Sequence, residues 1–295
     1  MQIIGILCAA GAALFWSIAV VMFKKSGDLL SPTALNLFKG MVTLILLAPT
    51  LWIGGIAWFP ERPVRDWVLF SLSGLLGITL ADNLFFMALK RLGAGLWAVV
   101  DCLYLPLIIL LSAVVLNESI GVKGMIGAGL VVAAIGAGSY SGSNYAARRS
   151  DMAAGLLLGA LAVSMLAVSI IMVKPLLAQT GVLWASFVRL LAGVGGLLLV
   201  AACHPERRLI FGVLKPSPSW KLALPASVIG NYLAMLAWLA GFKYTLVPIA
   251  AILNQLATIF TFILAAVFLK EPVTPARLTA ILLAVAGALL AAGSV

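Results

Sequence analysis

Apolar runs of about twenty residues follow one another along the whole chain, each closed by a short cluster of polar residues, glycine or proline. These breaks predict ten helical spans, at 2–23, 33–55, 67–89, 94–116, 121–140, 153–173, 182–203, 220–242, 247–269 and 275–293. A run of about twenty apolar residues is long enough to cross ~30 Å of hydrocarbon as a helix. In lipid the backbone must satisfy its own N–H and C=O groups, so helices are the expected spanning elements. The connections are mostly short, such as 24–32 (KKSGDLLSP) and 90–94 (KRLGA); the longest polar stretches are 57–66, 141–152 and 204–219. The pattern predicts an all-α membrane protein.

The polar segment 141–152 (SGSNYAARRSDM) divides the chain into a first group of five spans, residues 1–140, and a second, residues 153–295. The two groups resemble each other. With an offset of 150, Lys24 falls on Lys174 and Lys39 on Arg189. With an offset of 153, residues 88–119 lie on 241–272, so that Lys90 meets Lys243, Glu118 meets Glu271 and Asp101 meets Asn254. Five is an odd number of crossings, so the second repeat is expected to enter the membrane the other way up. Two inverted five-helix repeats are a transporter signature, with binding near midplane where the halves meet.

Composition agrees with the pattern. The chain is 64% hydrophobic and only 9% charged, where soluble domains are about a quarter charged. Its net charge of +10 would point to nucleic acid in a soluble protein. Here the basic residues stand almost all at span ends, where they orient the chain in the lipid bilayer, and no nucleic-acid partner is expected. Opposite the termini lie Lys24, Lys25, Lys90, Arg91, Arg148, Arg149, Arg207, Arg208, Lys215, Lys221, Lys270 and Arg277; on the terminal side lie Arg62, Arg65, Lys123, Lys174 and Lys243. That distribution places both termini outside the cytoplasm. The N-terminal stretch lacks a basic leader, so it reads as a retained helix rather than a signal peptide. Cys8, Cys102 and Cys203 are scattered, without disulfide or metal-ligand spacing. The single histidine, His204, stands in a connection, and no nucleotide-binding GxxxxGK[ST] sequence is present. No cofactor or metal is expected, and an embedded enzyme is the least favoured function class.

Four charged residues lie well inside spans: Lys39, Asp82, Asp101 and Arg189. Each costs at least ~2.5–3.5 kcal/mol at the bilayer centre, so each is expected to face the interior. Counting from Lys90 and Gly93 puts Asp82 and Asp101 about 12 Å below one surface, with Lys39 at a similar depth. The second half has Met235 and Asn254 in place of the two acids. Lys39 and Arg189 occur in both halves, which favours structural pairing, Lys39 with Glu271 and Arg189 with Glu118. Around Asp101, Trp97 at i−4 and Tyr104 at i+3 share its helical face; aromatic faces with a carboxylate make a cation site. The alternative is that the two rings are packing residues and Asp101 bonds a neighbouring helix. Pro106 has no N–H for the carbonyl of Cys102, so the helix is expected to loosen there. Asp82, Trp16 and Ser17, Asn231, Met235 and Trp238, and Asn254, Gln255 and Thr258 complete one candidate amphipathic cavity. Proton exchange at Asp82 or Asp101 would couple transport to protons, since burial disfavours the charged carboxylate; a permanent Lys39–Asp82 ion pair is the other reading. Small-residue faces at Gly124, Gly127, Gly129 and Gly136, and at Ala280, Ala284, Gly287 and Ala291, are expected to serve helix packing or a homodimer contact.

Phe15-Trp16 separated by seven residues from Lys24, a basic residue early in spans two and seven (Lys39, Arg189), and Ala88-Leu89-Lys90 followed by Glu118 resemble the drug/metabolite transporter superfamily. The chain is most similar to its ten-span branch, whose five-helix repeat is named EamA. That resemblance implies a carrier of small organic molecules in the cell membrane, working by alternating access, commonly an exporter, with cytoplasmic termini. Together with the residues it favours a cationic or zwitterionic substrate (an amine, quaternary ammonium or amino acid), with proton antiport as candidate coupling. The runner-up is an anionic or neutral metabolite held by Lys39 and Arg189.

Overall fold

The computed structural model describes residues 2–116, 122–123, 125–127, 129–130, 133–134, 146–177, 179–244, 250, 253–254 and 256–292. Among these residues the regular structure is helical throughout, with no strand. The first half contributes α1 (Gln2–Gly27), α2 (Pro32–Ile53), α3 (Val64–Gly74), a π-helical segment (Leu75–Ala81), α4 (Asp82–Asp101) and α5 (Tyr104–Leu116). The second contributes α6 (Ala146–Leu177), α7 (Val182–Cys203), the short α8 (Arg207–Gly212), α9 (Trp220–Ala226), a second π-helical segment (Ser227–Leu233), α10 (Ala234–Tyr244), α11 (Leu256–Phe268) and α12 (Pro275–Ala292). Six helical runs are long and apolar enough to cross a membrane: Ile3–Gly27, Pro32–Ile53, Val64–Asp101, Ser150–Leu177, Val182–Cys203 and Trp220–Tyr244. Shorter apolar helices cover Leu256–Phe268 and Leu278–Gly287. Most of the span expected at 121–140 lies outside the described residues, as do Glu118 and Gln255.

The 38-residue run Val64–Asp101 contains what hydropathy divides into two spans. The division is at Gly93, whose φ of +77° and ψ of 172° interrupt the helix. Side chains with a Cβ rarely adopt that conformation, and glycine does so freely. The break starts a new helical turn with unbonded N–H groups, and the Glu271 carboxylate takes two of them. Ala94 N–H donates to Oε1 at 2.8 Å and Gly95 N–H to Oε2 at 3.0 Å. An anion is favoured at such a helix start. Glu271 is therefore not the partner of Lys39: near the surface, backbone donors reach it, while Lys39 lies deeper and meets Asp82.

A Cβ on Gly93 would stand 2.7 Å from Glu271 Oε1. Gly93→Ala is expected to cost about 1–3 kcal/mol from backbone strain, plus the disturbed cap. Gly55, with φ of +62° and nothing within 4 Å of a built Cβ, isolates the strain. Thermal unfolding in detergent should show a larger drop for Gly93→Ala than for Gly55→Ala.

Packing runs mainly between the halves. α1 lies against α10 and α11, α4 against α6, and α2 and α3 against α7. Phe23, Phe38, Phe70, Leu47 and Leu197 fill this interface and are fully buried. Many large apolar side chains face outward instead, among them Leu7, Ile45, Leu199 and Leu282. Such a surface is unfavourable in water and ordinary in lipid.

The two π-helical segments begin 152 residues apart, at Leu75 and Ser227. Their crossings match as well. A Cβ on Gly77 would meet Ser169 Oγ at 2.8 Å, and one on Gly230 would meet Ala19 Cβ at 2.2 Å. These are the same contact by the sequence offsets, 153 for the glycines and 150 for Ala19 and Ser169. π turns open the i→i−4 ladder and often stand beside functional groups. The first leads directly into Asp82, and the second contains Asn231.

Candidate functional site: a charged, aromatic-walled cavity between the halves

A cavity of about 170 Å³ lies where the halves meet. A cavity of roughly 150 Å³ admits benzene, so this one has room for a small organic molecule. α1 supplies Trp16, α2 Lys39, and α4 Asp82, Trp97 and Asp101. Tyr104 comes from the start of α5, Arg189 from α7, Asn231 from the second π segment, Trp238 from α10, and Asn254 from just before α11. With Met235, eleven of the side chains singled out in the sequence are thus brought to one wall system. Phe85, Gly77 and Leu166 line it too.

The first charged group is a pair. Lys39 is 1% exposed and its Nζ is ion-paired with Asp82 Oδ2. The same Nζ donates to Asn231 Oδ1 at 3.2 Å, and Asn231 Nδ2 donates to Thr43 Oγ1 at 2.7 Å. Thr43 in turn donates to the Lys39 carbonyl at 2.8 Å, and the Phe86 ring lies 5.6 Å from Nζ. Every link is short-range, and the chain of bonds joins α2 to the second half. Thr43 was missing from the expected set, although its place one turn after Lys39 marks it.

Arg189 occupies the corresponding place in the second half and is 4% exposed. Its Nη2 donates to Ser169 Oγ at 3.5 Å, and its guanidinium stands 5.9 Å from the Trp238 ring. Nε and Nη1 have no hydrogen-bond partner among the described residues. The expected partner Glu118 lies outside those residues.

Asp101 is half-buried. Among the described residues it forms no ion pair. Trp97 and Tyr104 line the cavity with it, although the helix is not continuous across the three. Cys102 and Leu103 form a turn between α4 and α5, with tight bonds Cys102 N–H to Val99 O at 3.3 Å and Leu103 N–H to Val100 O at 3.0 Å. This is the loosening that Pro106 predicts. The aromatic wall continues through close ring pairs: Trp97 to Phe85 at 4.7 Å, Phe85 to Trp16 at 5.4 Å, and Tyr104 to Trp238 at 6.5 Å. Tyr104 OH and Asn254 Nδ2 are buried without hydrogen-bond partners among the described residues.

Two expected lining residues turn elsewhere. Ser17 Oγ lies 2.6 Å from the Ala13 carbonyl oxygen and 3.0 Å from that of Ala257, and its single O–H donates to one or is shared between them. Thr258 Oγ1 lies 3.3 Å from Cys102 Sγ. Both hydroxyls tie helices together, because a short side chain reaches backbone or a packed neighbour before it reaches the cavity.

A family model described as the EamA-like transporter family matches residues 3–137 and again 153–293. Among solved structures, 26 chains match. One of these, "Crystal structure of protein", superposes with a TM-score of 0.71 at 19% identity, covering 99% of this chain and 97% of that one. At that identity the likeness concerns the fold. No curated protein matches the chain.

Proposed function

The chain belongs to the EamA-like transporter family, and on that premise we propose that it is a secondary transporter whose substrate is a small organic cation or zwitterion. The matched family makes it a multi-pass membrane protein that moves small molecules. The finer reading is ten spans in two inverted repeats, with alternating access about the central cavity and proton exchange as the driving reaction. It acts at the cell membrane, as monomer or homodimer, and performs no chemistry on its cargo.

One observation carries the substrate reading: Asp101 reaches an aromatic-walled cavity, and no cation among the described residues is paired to it. An ammonium group there would meet a countercharge and the π faces of Trp97 and Tyr104. Inverted repeats place their binding sites in this position, where the halves meet. The reading that gives Lys39 to an anion loses support, since Lys39 is engaged by Asp82 and Asn231.

Asp101→Asn is isosteric and breaks no ion pair among the described residues. It is expected to fold and insert normally while transport of amines by proteoliposomes falls at least tenfold, about the worth of one charge-assisted bond. The check is counterflow of labelled amines and amino acids, wild type beside variant, with an imposed pH gradient to read proton coupling. Undiminished amine transport by a folded Asp101→Asn protein would sink the assignment.

A further inference from the structure

Phe85 and Trp97 are far enough apart in sequence that a continuous helix would separate them by about 18 Å, yet their ring centroids stand 4.7 Å apart. The chain therefore doubles back at Gly93, and α4 is a helical hairpin. Its two arms carry Asp82, Phe85, Trp97 and Asp101 into the cavity, and its tip lies at the surface where Lys90 and Arg91 are exposed. Along the arms between cavity and tip, Phe86, Leu89, Leu92 and Leu96 are buried, and Phe86 stands edge-on to Phe23 of α1 at 5.2 Å. The hairpin is packed shut on this side.

Two carboxylates of the second half grip the tip. Asp151 of α6 meets Arg91 Nε at 3.0 Å, an exposed pair of small worth. Glu271, between α11 and α12, accepts from the Ala94 and Gly95 N–H groups. The turn that delivers Glu271 is strained. Lys270 has a φ of +54° and is the one residue other than glycine with positive φ among the described residues, a conformation that a Cβ disfavours. The Leu269 and Glu271 N–H groups both donate to the Ala265 carbonyl, at 3.0 and 3.3 Å. Left-handed residues thus stand on both sides of one contact between the halves, Gly93 behind the donors and Lys270 behind the acceptor. Strain of this kind is kept at clamps and switch regions. The repeat does not reproduce the contact: by the offset of 153, Leu246 and Pro248 take the places of Gly93 and Gly95. Leucine resists positive φ and proline has no N–H, so the matched positions do not offer Glu118 the same two donors.

We propose that Glu271 is the latch of a gate at this surface: while its carboxylate holds the hairpin tip the cavity is closed on this side, and release of the two N–H bonds lets the hairpin swing from the second half and open it. The proposal rests on the alternating-access reading and on no assignment of substrate. Glu271 is half-buried, so water can take up the carboxylate and the N–H groups on release. Opening here costs less than parting a buried ion pair such as Lys39 and Asp82, which suits a contact broken and remade in every cycle. Because the repeat has no equal cap, the latch biases the resting protein toward closure at this surface rather than the opposite one.

The test is the distance between spin labels in the purified full-length protein in detergent, without ligand, read by pulsed electron paramagnetic resonance. Cys8 and Cys203 are replaced by serine, and the buried Cys102 stays. One labelled pair, Lys90→Cys with Val273→Cys, spans the latch; a second, Arg65→Cys with Gln179→Cys, spans the halves at the opposite surface. All four positions are exposed. With Glu271 intact, the pair across the latch is expected to show mainly its short distance. Glu271→Gln keeps an acceptor and loses the charge, and should raise the ratio of long to short distances by about tenfold, the worth of one charge-assisted bond. The opposite pair should shorten in the same fraction of molecules. Glu271→Asp keeps the charge one methylene short and should fall between, which serves if Glu271→Gln does not fold. Asp151→Asn should change little. A lower unfolding midpoint with both distance distributions unchanged would reduce Glu271 to a structural cap and overturn the latch. Lengthening at both surfaces would mean general loosening and overturn it as well. Lengthening across the latch alone, with the opposite pair unmoved, would leave the latch standing and overturn alternating access.

Discussion

Asp82→Ala is expected to cost the folded protein about 3–5 kcal/mol, the usual loss when one member of a buried ion pair is removed. Lys39 is 1% exposed, and without Asp82 its ammonium keeps, among the described residues, the neutral Asn231 Oδ1 at 3.2 Å and a phenyl face at 5.6 Å. Neither replaces a carboxylate, so the charge is left in a low-dielectric setting. The side chain of Asp82 is 18% exposed, which gives water some access from the cavity and places the effect toward the lower end of that range. The unfolding midpoint in detergent should drop and the yield of monodisperse protein fall. Lys39→Met combined with Asp82→Leu should recover most of the loss, because an apolar pair of similar volume avoids both desolvation penalties. Equal stability of Asp82→Ala and wild type would mean that the pair contributes nothing to the fold.

The double variant also separates two uses of the pair. If the recovered protein transports normally, the pair is a strut between α2 and α4. If it is stable but inactive, the charges serve the transport cycle, and protonation of Asp82 with release of Lys39 becomes the step to pursue. Stability alone does not divide these outcomes, since either role leaves the same unpaired lysine behind in the single variant.

The arrangement was legible in the sequence where a residue's cost in lipid forces its direction. Charged groups inside spans must face the interior, and Lys39, Asp82, Asp101 and Arg189 all reach the cavity. Helical spacing placed Trp97 and Tyr104 beside Asp101, and a turn at Cys102–Leu103 did not undo it, because three residues still make about one turn. Hydroxyl residues gave no such signal. Ser17 and Thr258 are polar positions in apolar runs, as Asn231 is, yet they bond a helix backbone or a packed thiol. Glu271 was misjudged for a related reason: its partners are the backbone N–H groups of Ala94 and Gly95, which no side chain announces. The π turns leave no mark in LLGITLA or SVIGNYL, since an extra residue per turn is a matter of packing rather than pattern.

Gly74→Ala is expected to be the most damaging of the small-residue substitutions, at about 3 kcal/mol or more. A Cβ there would lie 2.0 Å from the carbonyl oxygen of Arg189 and 2.7 Å from its carbonyl carbon. Backbone cannot rotate away as a side chain does, so α3 and α7 would have to separate. The crossing continues through Gly193, whose built Cβ stands 2.6 Å from Ile78 Cβ, and Gly196, 2.5 Å from Thr79 Oγ1. Thr79 Oγ1 also donates to the Gly193 carbonyl at 2.8 Å, so displacing it breaks an interhelical bond. Gly195, one residue from Gly196, has nothing within 4 Å, and Gly195→Ala should be neutral or stabilising by up to ~1 kcal/mol from helix propensity. Unfolding midpoints are therefore expected in the order Gly195→Ala, Gly196→Ala, Gly74→Ala, from highest to lowest. Because the contact at Gly74 is with the backbone of Arg189 itself, the same substitution should displace that guanidinium. A Gly74→Ala protein with wild-type stability would show that α3 and α7 do not hold this crossing in solution, and the placing of Arg189 by it would fail with that result.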